Sequence, residues 1–161
     1  MPPTLYKIIA GFIAGALATV LLHQAMYWAL LKFGVKLPGA PWNMAPAPEA
    51  YGLPILFNQM FWGGLWGVVF AFMIDYVPGP NLLKGFLFGC IFPMLIGSWL
   101  VVALIKGRPI LQGFLTDGDI WRLRPGFLLN GIAFGLGLGL LYPLLAGLMG
   151  GNTGRVSGRD Y

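Results

Sequence analysis

The sequence predicts an all-α membrane protein: four transmembrane helices, arranged as two duplicated helical hairpins in a compact bundle. Three observations predict it. The first is composition. Of 161 residues, 58% are hydrophobic and only 9% are charged, with a mean hydropathy of +0.78. A soluble domain carries about 25% charged residues, so lipid is the expected solvent. The second is a set of four apolar runs, each long enough to cross a bilayer as a helix of roughly 17–25 residues. The third is glycine at a four-residue spacing inside those runs: GFIAG at 11–15, GGLWG at 63–67, GFLFG at 85–89 and GIAFGLGLG at 131–139.

The first span is expected over Ile8–Leu31. Its apolar stretch runs past about 20 residues without a small-residue cleavage site, which argues for a retained span rather than a signal peptide. Lys32-Phe33-Gly34 and the proline-rich PGAPWNMAPAPEAYG break it. The second span is expected over Pro54–Ile74 and ends in a tight turn, Asp75 to Asn81. The third, Gly85–Ile105, is followed by a longer polar connection from Lys106 to Pro125. The fourth, Gly126–Leu148, leads into a polar, glycine-rich tail expected to be a flexible end. Helices are expected because a strand hairpin would leave backbone groups unpaired in hydrocarbon. Barrel strands would alternate in short segments. The whole chain, 1–161, reads as one transmembrane domain.

The glycine spacing has a physical reason. Between helices in lipid, burying leucine against leucine gains little, and association comes from close packing that small residues at i and i+4 allow. Gly11 and Gly15, Gly63 and Gly67, Gly85 and Gly89, and the ladder Gly131, Gly135, Gly139 are therefore the expected packing positions. Their main expected use is packing within the chain, and the alternative is a face for another subunit. The spans also resemble one another. Sliding the first onto the third sets Gly11 on Gly85, Leu21 on Leu95 and Lys32 on Lys106. Sliding the second onto the fourth sets Asn58 on Asn130, Gly63 on Gly135 and Gly67 on Gly139. Two hairpins of the same orientation, related by an axis along the membrane normal, would produce this pattern.

Polar residues inside spans are costly and therefore informative. They are His23, Gln24 and Tyr27 in the first, Asn58 and Gln59 in the second, Ser98 in the third and Asn130 in the fourth. By helical rise they gather in the half of the membrane opposite the termini; His23 sits roughly 12 Å from that end of its helix. Trp28, Trp42, Tyr51, Trp99 and Trp121 lie toward the same side, where tryptophan anchors at headgroups. Lys32, Lys36, Lys106, Arg108, Arg122 and Arg124 put slightly more positive charge there than Lys7, Lys84, Arg155 and Arg159 put on the side of the termini. Small bacterial polytopic proteins more often keep both termini inside, and the expectation here is an inner-membrane protein with cytoplasmic termini.

The net charge of +5 is scattered at the ends of apolar runs, which argues against a nucleic-acid partner. The single cysteine, Cys90, rules out an internal disulfide. No acid lies deep in a span. Asp75 ends the second, Glu49 is in a loop, and Asp117 and Asp119 are too few oxygens for a calcium site. The GLGLGL run lies inside a span and cannot act as a phosphate loop. Catalysis, a resident metal and a cofactor are not expected. His23 is the one candidate axial ligand, for haem iron or a chlorophyll magnesium. The competing role is an imidazole hydrogen-bonded to Asn58, Gln59 or Asn130.

GFIAGALAT at 11–19, NQMFWGGLWGVVFA at 58–71, GFLFG at 85–89 and NGIAFGLGLGLLY at 130–142 resemble the YagU-like bacterial inner-membrane proteins, small four-span chains. That resemblance implies the fold and the location. In that family a histidine often precedes the glycine motifs of spans two and four, where this chain has Asn58 and Asn130. The functional expectation is a non-enzymatic accessory or assembly subunit packing within a larger membrane complex of respiratory or photosynthetic type. Its partners would be the bilayer and other membrane subunits. The alternatives are a small transporter or channel with a polar vestibule at His23, Asn58 and Asn130, and cofactor binding through His23.

Overall fold

The computed structural model describes residues 2–101 and 123–149, with Leu104 and Gly107, apart from the side chains of Pro3, Glu49, Ser98, Trp99 and Leu123. The Lys106–Pro125 connection up to residue 122 (Gly107 excepted), with Asp117, Asp119 and Trp121, and the tail with Arg155 and Arg159 lie outside the described residues.

Among the described residues the chain is all-helical. Three helices are long and apolar enough to cross a membrane: α1 (Thr4–Lys32), α2 (Ile55–Tyr76) and α4 (Arg124–Leu148). The fourth, α3, runs over Asn81–Gly89 and continues through Cys90–Val101; its apolar span, Asn81–Gly97, is shorter. Proline sets two starts. Pro54 and Pro80 stand just before α2 and α3, where a missing N–H removes nothing from the helical ladder. Widened π-type turns interrupt α1 at Ala18–His23, α3 at Cys90–Val101 and α4 at Phe127–Leu136. In α3 they accommodate Pro93 inside the helix.

The glycines decide which helices touch. A Cβ on Gly11 would sit 2.6 Å from the Gly67 carbonyl oxygen, and one on Gly15 would overlap the Gly63 carbonyl. In the second hairpin a Cβ on Gly85 would lie 2.7 Å from the Gly139 nitrogen, and one on Gly89 would lie 2.9 Å from the Gly135 Cα. Backbones meet directly in both hairpins because side chains are missing on both sides. Gly131 opens room for the Cys90 thiol, which a Cβ there would approach to 2.5 Å. All nine glycines of the repeated motifs therefore face a neighbouring helix of the same chain.

The two hairpins join along two unlike seams. Between α1 and α4 the contact is close. Ala10, Ala14 and Ala18 are fully buried in one cluster with Leu138, Tyr142 and Ala146, and a Cβ on Gly137 would lie 3.3 Å from that of Ala18. Between α2 and α3 large rings intervene. Trp66 meets Phe88 and Phe92 with ring centres 6.4 Å away, Phe70 meets Phe88 at 5.2 Å, and Phe88 stacks on Phe92 at 4.8 Å. At the end of the bundle that carries the N-terminus, Lys7 Nζ pairs with Asp75 at 2.7 Å across α1 and α2.

Candidate functional site

Gln24 is the polar centre of the bundle. It is 1% exposed. Its Nε2 donates to Gln59 Oε1 at 2.8 Å, and its Oε1 accepts the Trp42 backbone N–H at 2.9 Å. Nε2 also lies 3.4 Å from His23 Nδ1, which accepts in the tautomer protonated on Nε2. One amide thus ties α1, α2 and the connecting loop together. Among the described residues no buried side-chain nitrogen or oxygen lacks a partner, as a polar group withdrawn from water requires.

The loop between α1 and α2 folds back on the helices, and the π-type turn explains how. The Gln24 N–H reaches back to the Thr19 carbonyl, five residues rather than four. That register leaves the Val20 carbonyl to the Trp42 indole, whose N–H donates to it at 2.9 Å. At the entrance to this turn the Thr19 hydroxyl donates to the Gly15 carbonyl at 2.9 Å, a bond that competes with the regular ladder and bends helices. Val20 lies roughly 18 Å along α1 from the Lys32 end, so the loop reaches well down the bundle. Trp42 adopts φ +47°, a left-handed conformation that costs a bulky residue about 1–3 kcal/mol. Its two hydrogen bonds offset that cost.

The rest of the loop satisfies itself. The Tyr27 hydroxyl donates to the Pro38 carbonyl. The Ala47 N–H donates to the Leu53 carbonyl at 2.8 Å, that of Ile55 to Ala45 at 3.0 Å and that of Leu56 to Asn43 at 2.9 Å. Pro38, Pro41, Pro46 and Pro48 bring no N–H at all. A proline-rich strap has few donors to satisfy when it leaves water. Trp42→Phe removes the indole donor and leaves the Val20 carbonyl unpaired. The expected result is a loss of about 1 kcal/mol and faster amide exchange over residues 39–47, read by thermal melting and hydrogen exchange.

The sequence-derived polar residues divide. Gln24 and Gln59 come together, with His23 beside them and Tyr27 on the loop. The cross-helix bond expected of His23 to Asn58, Gln59 or Asn130 is instead made by Gln24 to Gln59. Adjacent residues point about 100° apart on a helix, and the α1 register turns Gln24 inward. Among the described residues, neither Asn58 nor Asn130 bonds to His23 through its side chain. Asn130 contributes its backbone carbonyl, which lies against Gly89. Ser98 lies in α3, with its side chain outside the described residues. An axial-ligand role for His23 would have to use Nε2, since Nδ1 faces Gln24. The sequence marks Lys84 only as a charge on the side of the termini; its Nζ donates to the Ile74 carbonyl at 2.8 Å, bridging α3 and α2. Its position four residues before Phe88 was the available signal.

No protein-family model, curated protein or solved structure matches the chain.

Proposed function

We propose that the chain is a non-enzymatic integral membrane protein that packs as an accessory or assembly subunit within a larger membrane complex, of respiratory or photosynthetic type. Its setting is the bacterial inner membrane, as the resemblance to YagU-like proteins implies; both termini are cytoplasmic, as is usual for small bacterial polytopic proteins, and its bundle is two copies of one helical hairpin, as the internal self-similarity of the spans suggests. The observation that carries this reading is an apolar exterior around an interior that holds a few bonded polar groups. Leu21, Trp28, Phe57, Phe61, Trp62, Phe72, Leu140 and Leu144 are exposed on the outside, whereas Gln24 and Thr19 are buried. A surface of large apolar side chains suits acyl chains and neighbouring helices. Among the described residues the inward polar side chains Gln24, Gln59 and Thr19 are engaged in holding helices and loop together. The matching glycine contacts, Gly11–Gly67 with Gly15–Gly63 and Gly85–Gly139 with Gly89–Gly135, support the duplication.

Membrane fractionation followed by gentle detergent purification tests the proposal. The expected result is a chain that needs detergent and co-purifies with a partner in fixed ratio. A monodisperse lone chain in detergent would overturn the subunit role. A chain recovered without detergent would overturn the membrane setting.

A further inference from the structure

The α2–α3 seam encloses a cleft of about 180 Å³, lined by Phe70, Ile74, Val77, Lys84, Phe88 and Phe92 among others. The slide that sets Gly11 on Gly85 also sets Ala10, Ala14 and Ala18 on Lys84, Phe88 and Phe92. Facing them, Ile74 stands where the second hairpin has Ala146. Alanines let α1 and α4 close on each other. A lysine and two phenylalanines hold α3 away from α2. The cleft therefore follows from these substitutions at otherwise equivalent positions. We infer that it binds an acyl chain of an anionic phospholipid, with the lipid phosphate held by Lys84. The inference rests on the membrane setting proposed above.

Shape and charge both choose this occupant. The wall from Lys84 to Phe92 is roughly 12 Å long, and its Phe88 and Phe92 rings are stacked within 17° of parallel, which gives a smooth face for a methylene chain. A volume of about 180 Å³ is too small for a helix of about 10 Å diameter. Lys84 lies in the first turn of α3, at the end of the bundle where Lys7 and Asp75 pair. Among the described residues Lys84 has no carboxylate partner, and its bond to the Ile74 carbonyl uses one of three ammonium donors. The remaining two can meet a phosphate, while the stem lies along the apolar wall.

The test is native mass spectrometry of the full chain, purified in mild detergent and supplied with phosphatidylglycerol and phosphatidylcholine in equal amounts. Wild type is expected to retain one phosphatidylglycerol with about tenfold preference, because both headgroups offer Lys84 a phosphate but only phosphatidylglycerol is net anionic, whereas the choline cation of phosphatidylcholine opposes the lysine charge. Lys84→Gln should abolish the preference, Lys84→Arg should keep it, and Ile91→Trp, which fills the cleft, should reduce retention of both lipids. Equal retention by wild type, or an unchanged preference in Lys84→Gln, would overturn the site. So would a second copy of the chain or a foreign subunit occupying the cleft in place of lipid. A chain that stays soluble without detergent overturns the membrane setting and the lipid site with it, an outcome distinct from a membrane-borne chain with no lipid preference.

Discussion

Gly67→Leu is expected to abolish recovery of a monodisperse folded chain. A Cβ at Gly67 would overlap the Gly11 carbonyl and lie 2.9 Å from the Gly15 nitrogen. Both obstacles are backbone, so no rotamer change relieves them and α1 must move away from α2 as a body. Overpacking a core ordinarily costs about 1–3 kcal/mol, and parting two helices along their glycine face adds the loss of their dispersion contacts. Gly64→Ala should be milder, because its Cβ meets the Phe12 ring at 2.5 Å, and that ring can turn. Gly147→Ala is the control. Nothing lies within 4 Å of its Cβ, and a helical glycine replaced by alanine should gain about 0.5–1 kcal/mol. Size-exclusion profiles after a heating series in detergent rank the three. A Gly67→Leu chain that survives heating as well as wild type would show that the hairpin is not held by backbone contact.

Gln24→Leu is expected to cost about 2–4 kcal/mol, since it leaves both the Gln59 amide and the Trp42 N–H without their partner. The loop should loosen together with the helix pair, so the melting midpoint falls and tryptophan emission shifts in the same variant. Adding Gln59→Leu should recover part of the loss, because removing both members of a buried pair is less costly than orphaning one. The double variant should not reach wild type, as the Trp42 N–H remains unpaired. If the costs of the two single variants simply add in the double one, the two amides do not act as a pair, which a double-mutant cycle reads directly.

The glycine faces were legible in the sequence because few residues other than glycine allow backbones to touch, and a four-residue spacing puts them on one side of a helix. The polar junction was legible only to within a residue. His23 attracted attention as the sole histidine, and Asn58 because it matches Asn130, yet the bonded pair is Gln24 and Gln59, each one position further on. A shift of one residue changes the direction of a side chain by about 100°, and apolar residues all round a helix give no stripe from which to fix its rotation. The Trp42–Val20 bond depends on a widened turn, which no residue pattern near Val20 announces. The second seam was hidden differently. Lys84 reads as a charge at a helix end until the packed bundle sets its ammonium on the Ile74 carbonyl of α2.

The unequal seams also have a mechanical meaning. Ala10, Ala14 and Ala18 bind the hairpins along α1 and α4 like the spine of a book, while Lys84, Phe88 and Phe92 leave α2 and α3 as its loose fore-edge. A relative movement of the two hairpins that kept the alanine contacts would turn about the spine and alter the fore-edge. The molecule carries a built-in direction of opening that a bundle with two equal seams would lack.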